Sequence, residues 1–209
     1  MEINYLETLH FIGKCLTLSK IEDNRSEILN ILKKRNVSWD AIIKVSTAHL
    51  VFPALYCNFK DTGFLNLIPK DLVDYMAHLY KLNHNRNLKI IEQVKEINKL
   101  MLTNNISPIF LKGTSYLIEE LYNNIGERMI GDIDFLVPDY QFLKTIKIFK
   151  EYGYISNMKE EDIIFPSKHY PKMMIVNCWR YGASREASLL RTVGLISRVE
   201  PGLVTEEFD

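Results

Sequence analysis

The rhythm of apolar residues changes once along this 209-residue chain, and that change limits the folds open to it. Up to Asn105 they recur at three- and four-residue steps, the spacing of a helix face. Leu6, Leu9 and Ile12 make one such face. Ile28, Leu29, Ile31 and Leu32 make the next, with Ser26 available as an N-cap. A turn over Asn36 to Ser38 leads into WDAIIKVSTAHLVFPALY, which Ser38 can cap. Pro53 must kink or end that helix unless it sits in a new first turn. Loop signals at Asp61 to Gly63 and at Pro69 precede the strongest pattern. Val73, Met76, Ala77, Tyr80, Leu88, Ile91, Ile97, Leu100 and Met101 predict a long helix between Asp71 and Thr103, with a break near His84 and Asn85 left open.

Beyond Asn105 the elements shorten. Ile106 to Leu111 is an apolar run with a proline, too short for a helix and suited to a buried strand. Lys112-Gly113 ends it, and Thr114 to Tyr122 resumes a helical rhythm until the stop at Asn123 to Gly126. Ile130 to Val137 reads as a second strand, with Ile133, Phe135 and Val137 on one face and Asp132 and Asp134 on the other. Pro138-Asp139 closes it. Asp139 can cap a helix that runs through Glu151 and stops at Gly153. The predicted order is helices, then β-α-β-α. The expected class is α/β, with an N-terminal helical region packed on a small mixed-sheet core.

The end of the chain differs in composition. All 18 lysines lie at or before Lys172, whereas the last 37 residues hold four of the eight arginines. Such a shift marks either a separate element or a terminus unrelated to the fold, such as a change of reading frame. The second is favoured, and it predicts a tail that packs poorly.

Charge and cysteine content narrow the function classes. Lys and Arg total 26 and Asp and Glu total 26, so the chain does not live on bulk attraction to nucleic acid or anionic membrane. A local basic pocket is still compatible with that balance. No apolar run approaches the roughly 18 residues of a membrane span, and MEINYLETLH lacks the basic start of a secretory signal. Cys15, Cys57 and Cys178 are odd in number and far apart, which fits free thiols in a reducing cytoplasm.

The chemistry-bearing stretch is IFLKGTSYLIEELYNNIGERMIGDIDFLVP, residues 109 to 138. Two carboxylates two residues apart on a strand leave the same face and repel each other, unless water screens them or a cation bridges them. Mg²⁺ is such a cation: it takes one or two carboxylates and fills its other positions with water and phosphate oxygens. The plainer reading makes Asp132 and Asp134 the wet side of a strand. Upstream, Lys112-Gly113-Thr114-Ser115 joins a strand to a helix start, where amides, two hydroxyls and an ammonium can meet an anion. The plainer reading there is a capped β-to-α turn, and the P-loop pattern is absent. Arg128, four residues before Asp132, can hold a phosphate or orient an aspartate; otherwise it is half of a surface ion pair with Glu127 or Glu119.

This order of strand, Lys-Gly, Thr/Ser, helix, Arg and Gly-Asp-Ile-Asp resembles the DNA polymerase beta-type nucleotidyltransferase superfamily. Most closely it is similar to the bacterial uncharacterised nucleotidyltransferases. The likeness covers roughly residues 35 to 172, including Trp39, Ala48, His49, Val51, Pro53 and NNISPIFLKG. Abortive-infection nucleotidyltransferases share the Lys-Gly, Arg, Asp-x-Asp order.

The composition shift sets off an atypical tail over 177–209, expected to be unstructured, and the resemblance divides the rest into a helical region over 1–104 and an incomplete nucleotidyltransferase core over 105–176. It implies Mg²⁺ on Asp132 and Asp134, a nucleoside triphosphate on Gly113 with Thr114 or Ser115, and Lys112 and Arg128 as its charge partners. The implied reaction carries a nucleoside monophosphate to an unknown acceptor hydroxyl. Two features depart from the family. Thr114 follows the glycine where Gly or Ser is usual, and the HYPKMMIVNCWRYG stretch supplies no third carboxylate. Glu160, Glu161, Asp162 and Glu186 are the nearest acids, and His169 is a possible nucleotide contact. A degenerate nucleotide-binding module and a toxin-like enzyme that modifies tRNA are therefore the alternatives.

Overall fold

A computed structural model describes residues 4–35 and 37–152, and the backbone of 173–178. Seven α-helices and a small sheet account for most of these residues. Their elements in order are α1 (Tyr5–Cys15), α2 (Glu22–Lys33), α3 (Trp39–Ala48), α4 (Phe52–Asp61), α5 (Lys70–Thr103), β1 (Ile109–Phe110), α6 (Lys112–Ile118), β2 (Ile133–Pro138), α7 (Phe142–Glu151) and β3 (Met173–Cys178). None of the described helices is long and apolar enough to cross a membrane.

The chain divides into two units. The first runs to His84 and takes in Gly126–Met129; the second takes Asn85–Ile125 and resumes at Ile130. In the first, α1 starts where the Asn4 side chain accepts a hydrogen bond from the Leu6 amide at 3.1 Å. Ser26 lies inside α2 and caps nothing, because that helix begins four residues earlier, at Glu22. Pro53 does what its missing N–H allows: α3 ends at Ala48, and the proline sits in the first turn of α4. α4 stops at a left-handed Gly63 (φ 77°), which lets the Phe64 amide reach back to the Phe59 carbonyl at 2.8 Å. The core of this unit is built from Ile12, Cys15, Leu18, Ile28, Leu32, Phe52, Leu55, Phe59 and Met76, all at most 2% exposed.

Helix α5 is continuous across His84 and Asn85. Its buried positions are Leu72, Met76, Leu79, Asn83, Asn87, Ile90, Val94, Ile97 and Met101, a stripe of three- and four-residue steps. That stripe is displaced from the sequence expectation, and Leu88 is exposed.

In the second unit β1 pairs with β2 and β2 with β3, all antiparallel. The expected mixed sheet is therefore corrected: the described sheet is antiparallel and the molecule is mostly helical. The reason lies in the connection. A parallel crossover must carry the chain back along the full strand, but α6 has seven residues and spans only about 10 Å. The chain leaves β1 and enters β2 at the same end. Phe110 opposes Phe135 there, and the Leu111 amide donates to the Asp134 carbonyl at 2.9 Å. Phe135 is fully buried between Phe110 and Phe149, with ring centroids at 5.7 and 5.9 Å. Ile90, Val94, Ile97, Met101, Ile133 and Val137 complete this second core.

Candidate active site

The Lys-Gly corner and the acid-bearing strand meet at the end of β2. Lys112 Nζ lies 2.5 Å from Asp134 Oδ2. The two partners are unlike: the lysine side chain is 70% exposed, and that of Asp134 is 3% exposed. The hydrogen bond to Asp134 raises the Lys112 pKa; burial opposes it, and the charges of Asp134 and Asp132 add support. Both acids thus act on one ammonium. This geometry needs a left-handed backbone at Lys112 (φ 52°), which costs a residue with a Cβ roughly 1–2 kcal/mol. The conformational burden falls on the lysine rather than on Gly113. A Cβ on Gly113 would meet the Ile130 side chain at 3.1 Å.

Asp132 and Asp134 differ more than a simple alternation suggests. Asp134 lies within β2, beneath the lysine, and is 2% exposed. Asp132 sits one residue before the strand and is exposed. The wet-strand reading holds for neither face, because Ile133 to Val137 are all buried. The Thr114 hydroxyl donates to the Asp132 carbonyl at 3.3 Å, tying α6 to the start of the acidic segment. Ser115 Oγ donates to the Lys112 carbonyl at 2.9 Å. Both hydroxyls hold the turn together. Arg128 falls in the first unit, is exposed, and its carbonyl accepts from Asn83 Nδ2 at 3.0 Å.

Sequence reasoning missed Arg86. The residue is half-buried, and its guanidinium donates to the Gly131 carbonyl at 3.4 Å. Burial pulls its pKa down to about 10, and the charge of Asp132 works in the opposite direction. Next to it, Asn87 Nδ2 donates to the Ile125 carbonyl at 2.6 Å. The signal was in the text: Asn83 and Asn87 occupy two successive positions of an otherwise apolar stripe, and Arg86 adjoins them. Polar side chains at core positions need partners, and here the partners are loop carbonyls.

The donor set suits a hard divalent cation that completes its shell with phosphate oxygens. Two carboxylates are available, and among the described residues no group of three or more His, Cys, Asp and Glu is gathered around one point. Glu160, Glu161, Asp162, His169 and Glu186 lie outside the described residues, as do positions 179–209 of the expected tail. A cleft of about 520 Å³ also opens in the second unit, lined by Ile91, Lys95, Asn98, Phe110, Tyr116 and Tyr122 among others. It lies on the Phe110 side of the sheet, the face opposite Asp134.

No curated protein and no solved structure matches the chain. A family model described as uncharacterised nucleotidyltransferase matches residues 35–190, three quarters of the sequence and all of the Lys112–Asp134 corner. The chain belongs to that nucleotidyltransferase family.

Proposed function

We propose that the corner formed by Lys112 and Asp134 is the centre of a Mg²⁺-dependent nucleotidyltransferase. The observation that carries this reading is the Lys112–Asp134 contact, with Asp132 within electrostatic reach of the same ammonium. Asp132 and Asp134 would hold the divalent ion, which when bound neutralises charge that develops on the triphosphate. The turn of Lys112, Gly113, Thr114 and Ser115 would take the triphosphate. Arg128 enters as a further charge partner through the family resemblance alone.

In the reaction the acceptor hydroxyl oxygen bonds to the α-phosphorus, the bond from that phosphorus to the β-bridging oxygen breaks, and pyrophosphate leaves. The hydroxyl proton passes to a base or to water. Lys112 has two tasks in this scheme. It covers the Asp134 carboxylate before substrate arrives. Its exposed, flexible stem would also let the ammonium turn from that carboxylate to a triphosphate oxygen.

Transfer of label from an α-³²P nucleoside triphosphate to RNA, protein or small-molecule hydroxyls tests the reading. Mg²⁺-dependent transfer that is lost in Asp134→Asn supports it. Nucleotide binding without transfer would favour the degenerate module, and selective labelling of tRNA would favour the toxin-like alternative. Transfer that survives in both Asp132→Asn and Asp134→Asn would overturn it.

A further inference from the structure

Each acid of this corner lies under the charge of a cation, and the cations are built differently. Lys112 reaches Asp134 from the surface on a flexible stem. Arg86 is rooted in α5: it is half-buried, bonded to the Gly131 carbonyl and under the charge of Asp132. A guanidinium carries five N–H donors in a rigid plane. One arm can therefore anchor the backbone just before Asp132 while the delocalised charge acts on its carboxylate. Its neighbour Asn87 anchors the same loop at Ile125, but carries no charge.

We propose that Arg86 is a positioning residue of the acid pair: anchored to Gly131, it holds Asp132 where both carboxylates can share one divalent ion. The proposal rests on the nucleotidyltransferase reading. Two carboxylates entering one ion's shell repel each other before the ion is in place. A cation held at the Gly131 carbonyl, under the charge of Asp132, offsets that repulsion. A lysine at the same place lacks the planar fork but keeps the positive charge, so the electrostatic part of the role survives that exchange.

The test is Mn²⁺ binding to the full chain with a non-hydrolysable nucleoside triphosphate, read from the loss of the free Mn²⁺ signal in electron paramagnetic resonance. Circular dichroism and thermal unfolding of each variant are measured alongside. Arg86→Met should weaken the Mn²⁺–nucleotide complex about tenfold or more, the loss of one hydrogen-bonded charge. Arg86→Lys should stay within roughly threefold of the wild type, because the charge is kept. Asn87→Ala, which loosens the loop without touching a charge, should also stay within about threefold. If Arg86→Met does not fold, Arg86→Gln replaces it, with the same expected loss of about tenfold or more.

Wild-type binding separates the two levels of the argument. A wild-type chain that binds no Mn²⁺–nucleotide defeats the nucleotidyltransferase reading itself. Wild-type binding that persists in Arg86→Met, or a loss in Arg86→Lys or Asn87→Ala as deep as that in Arg86→Met, defeats only the role of Arg86.

Discussion

The two units handle buried polar groups in different ways. In the helical unit Thr8, Ser46 and Asn58 are buried, and each side chain bonds to a carbonyl four residues back: Asn4 at 3.3 Å, Ile42 at 2.5 Å and Ala54 at 3.0 Å. Such bonds satisfy the group inside its own helix or at its start, and position nothing else. In the sheet-bearing unit Thr145 bonds locally in the same way, to the Gln141 carbonyl at 3.0 Å, but Asn87, Thr114 and Asp134 are buried and reach across elements, to Ile125, Asp132 and Lys112. One of those links is an ion pair with a buried acid. Polar groups that bond locally are tolerated within a core; polar groups that bond at long range fix the relative positions of distant segments. Asn83 is the first unit's exception, bonding to Gly126 and Arg128.

The contrast can be broken by substitutions in each unit. The largest effect is expected in the dry core of the first. Phe59→Ala empties a fully buried ring site and should cost about 3–5 kcal/mol in urea unfolding. A loss below 1 kcal/mol would mean that this core is not closely packed.

Lys112→Met leaves the Asp134 carboxylate without its cation and should cost about 1–3 kcal/mol, because that acid is buried. Added Mn²⁺ should restore part of the lost stability, and raise Tm more in the variant than in the wild type. An equal Mn²⁺ response in both proteins would show that the lysine does not compete with a metal for Asp134.

Gly126→Ala should cost about 1–3 kcal/mol by overpacking. A Cβ there would meet the Tyr80 ring at 2.7 Å and His84 Cβ at 2.9 Å, and the latter cannot swing aside. Unchanged chemical denaturation would contradict that close approach.

The smallest effect is graded with pH. Burial pushes the Cys57 thiol from 9.0 up to about 12, and raises Cys15 as well. The unfolded chain therefore releases these protons first. Stability from the thiols is whole below pH 9 and declines as pH climbs from 9 toward 12. The Lys112 ion pair has the same sign, since its pKa is raised, but its contribution fades only above 10.5. Denaturation midpoints measured from pH 8 to 10 should decline in the wild type and hold steady in a Cys15→Ala, Cys57→Ala variant. A decline of equal slope in that variant would assign the effect elsewhere.

Much of this was legible in the sequence because one-dimensional periodicity reports one-dimensional elements. The long helix, the break at Pro53 and the strand carrying Ile133, Phe135 and Val137 all follow from spacing. So does the proximity of Lys112 to Asp134, once two short strands share a turn. Sheet direction was less legible, because it depends on whether seven residues of α6 can span a strand. The burial of Asp134 was hidden as well: alternation separates the faces of a strand but does not reveal that the second face is covered. Arg86 lies 46 residues before Asp132, and no local pattern joins them; only a charged residue beside the polar part of an apolar stripe hinted at a partner elsewhere.

The central claim is that Asp132 and Asp134 form one divalent-ion site on which nucleotide binding depends. Calorimetric titration of a non-hydrolysable nucleoside triphosphate into the full chain, with and without Mg²⁺, tests it most directly. The account predicts binding that requires Mg²⁺ in the wild type and vanishes in Asp132→Ala and in Asp134→Ala. Binding of equal strength without Mg²⁺, or unchanged in both variants, would contradict it.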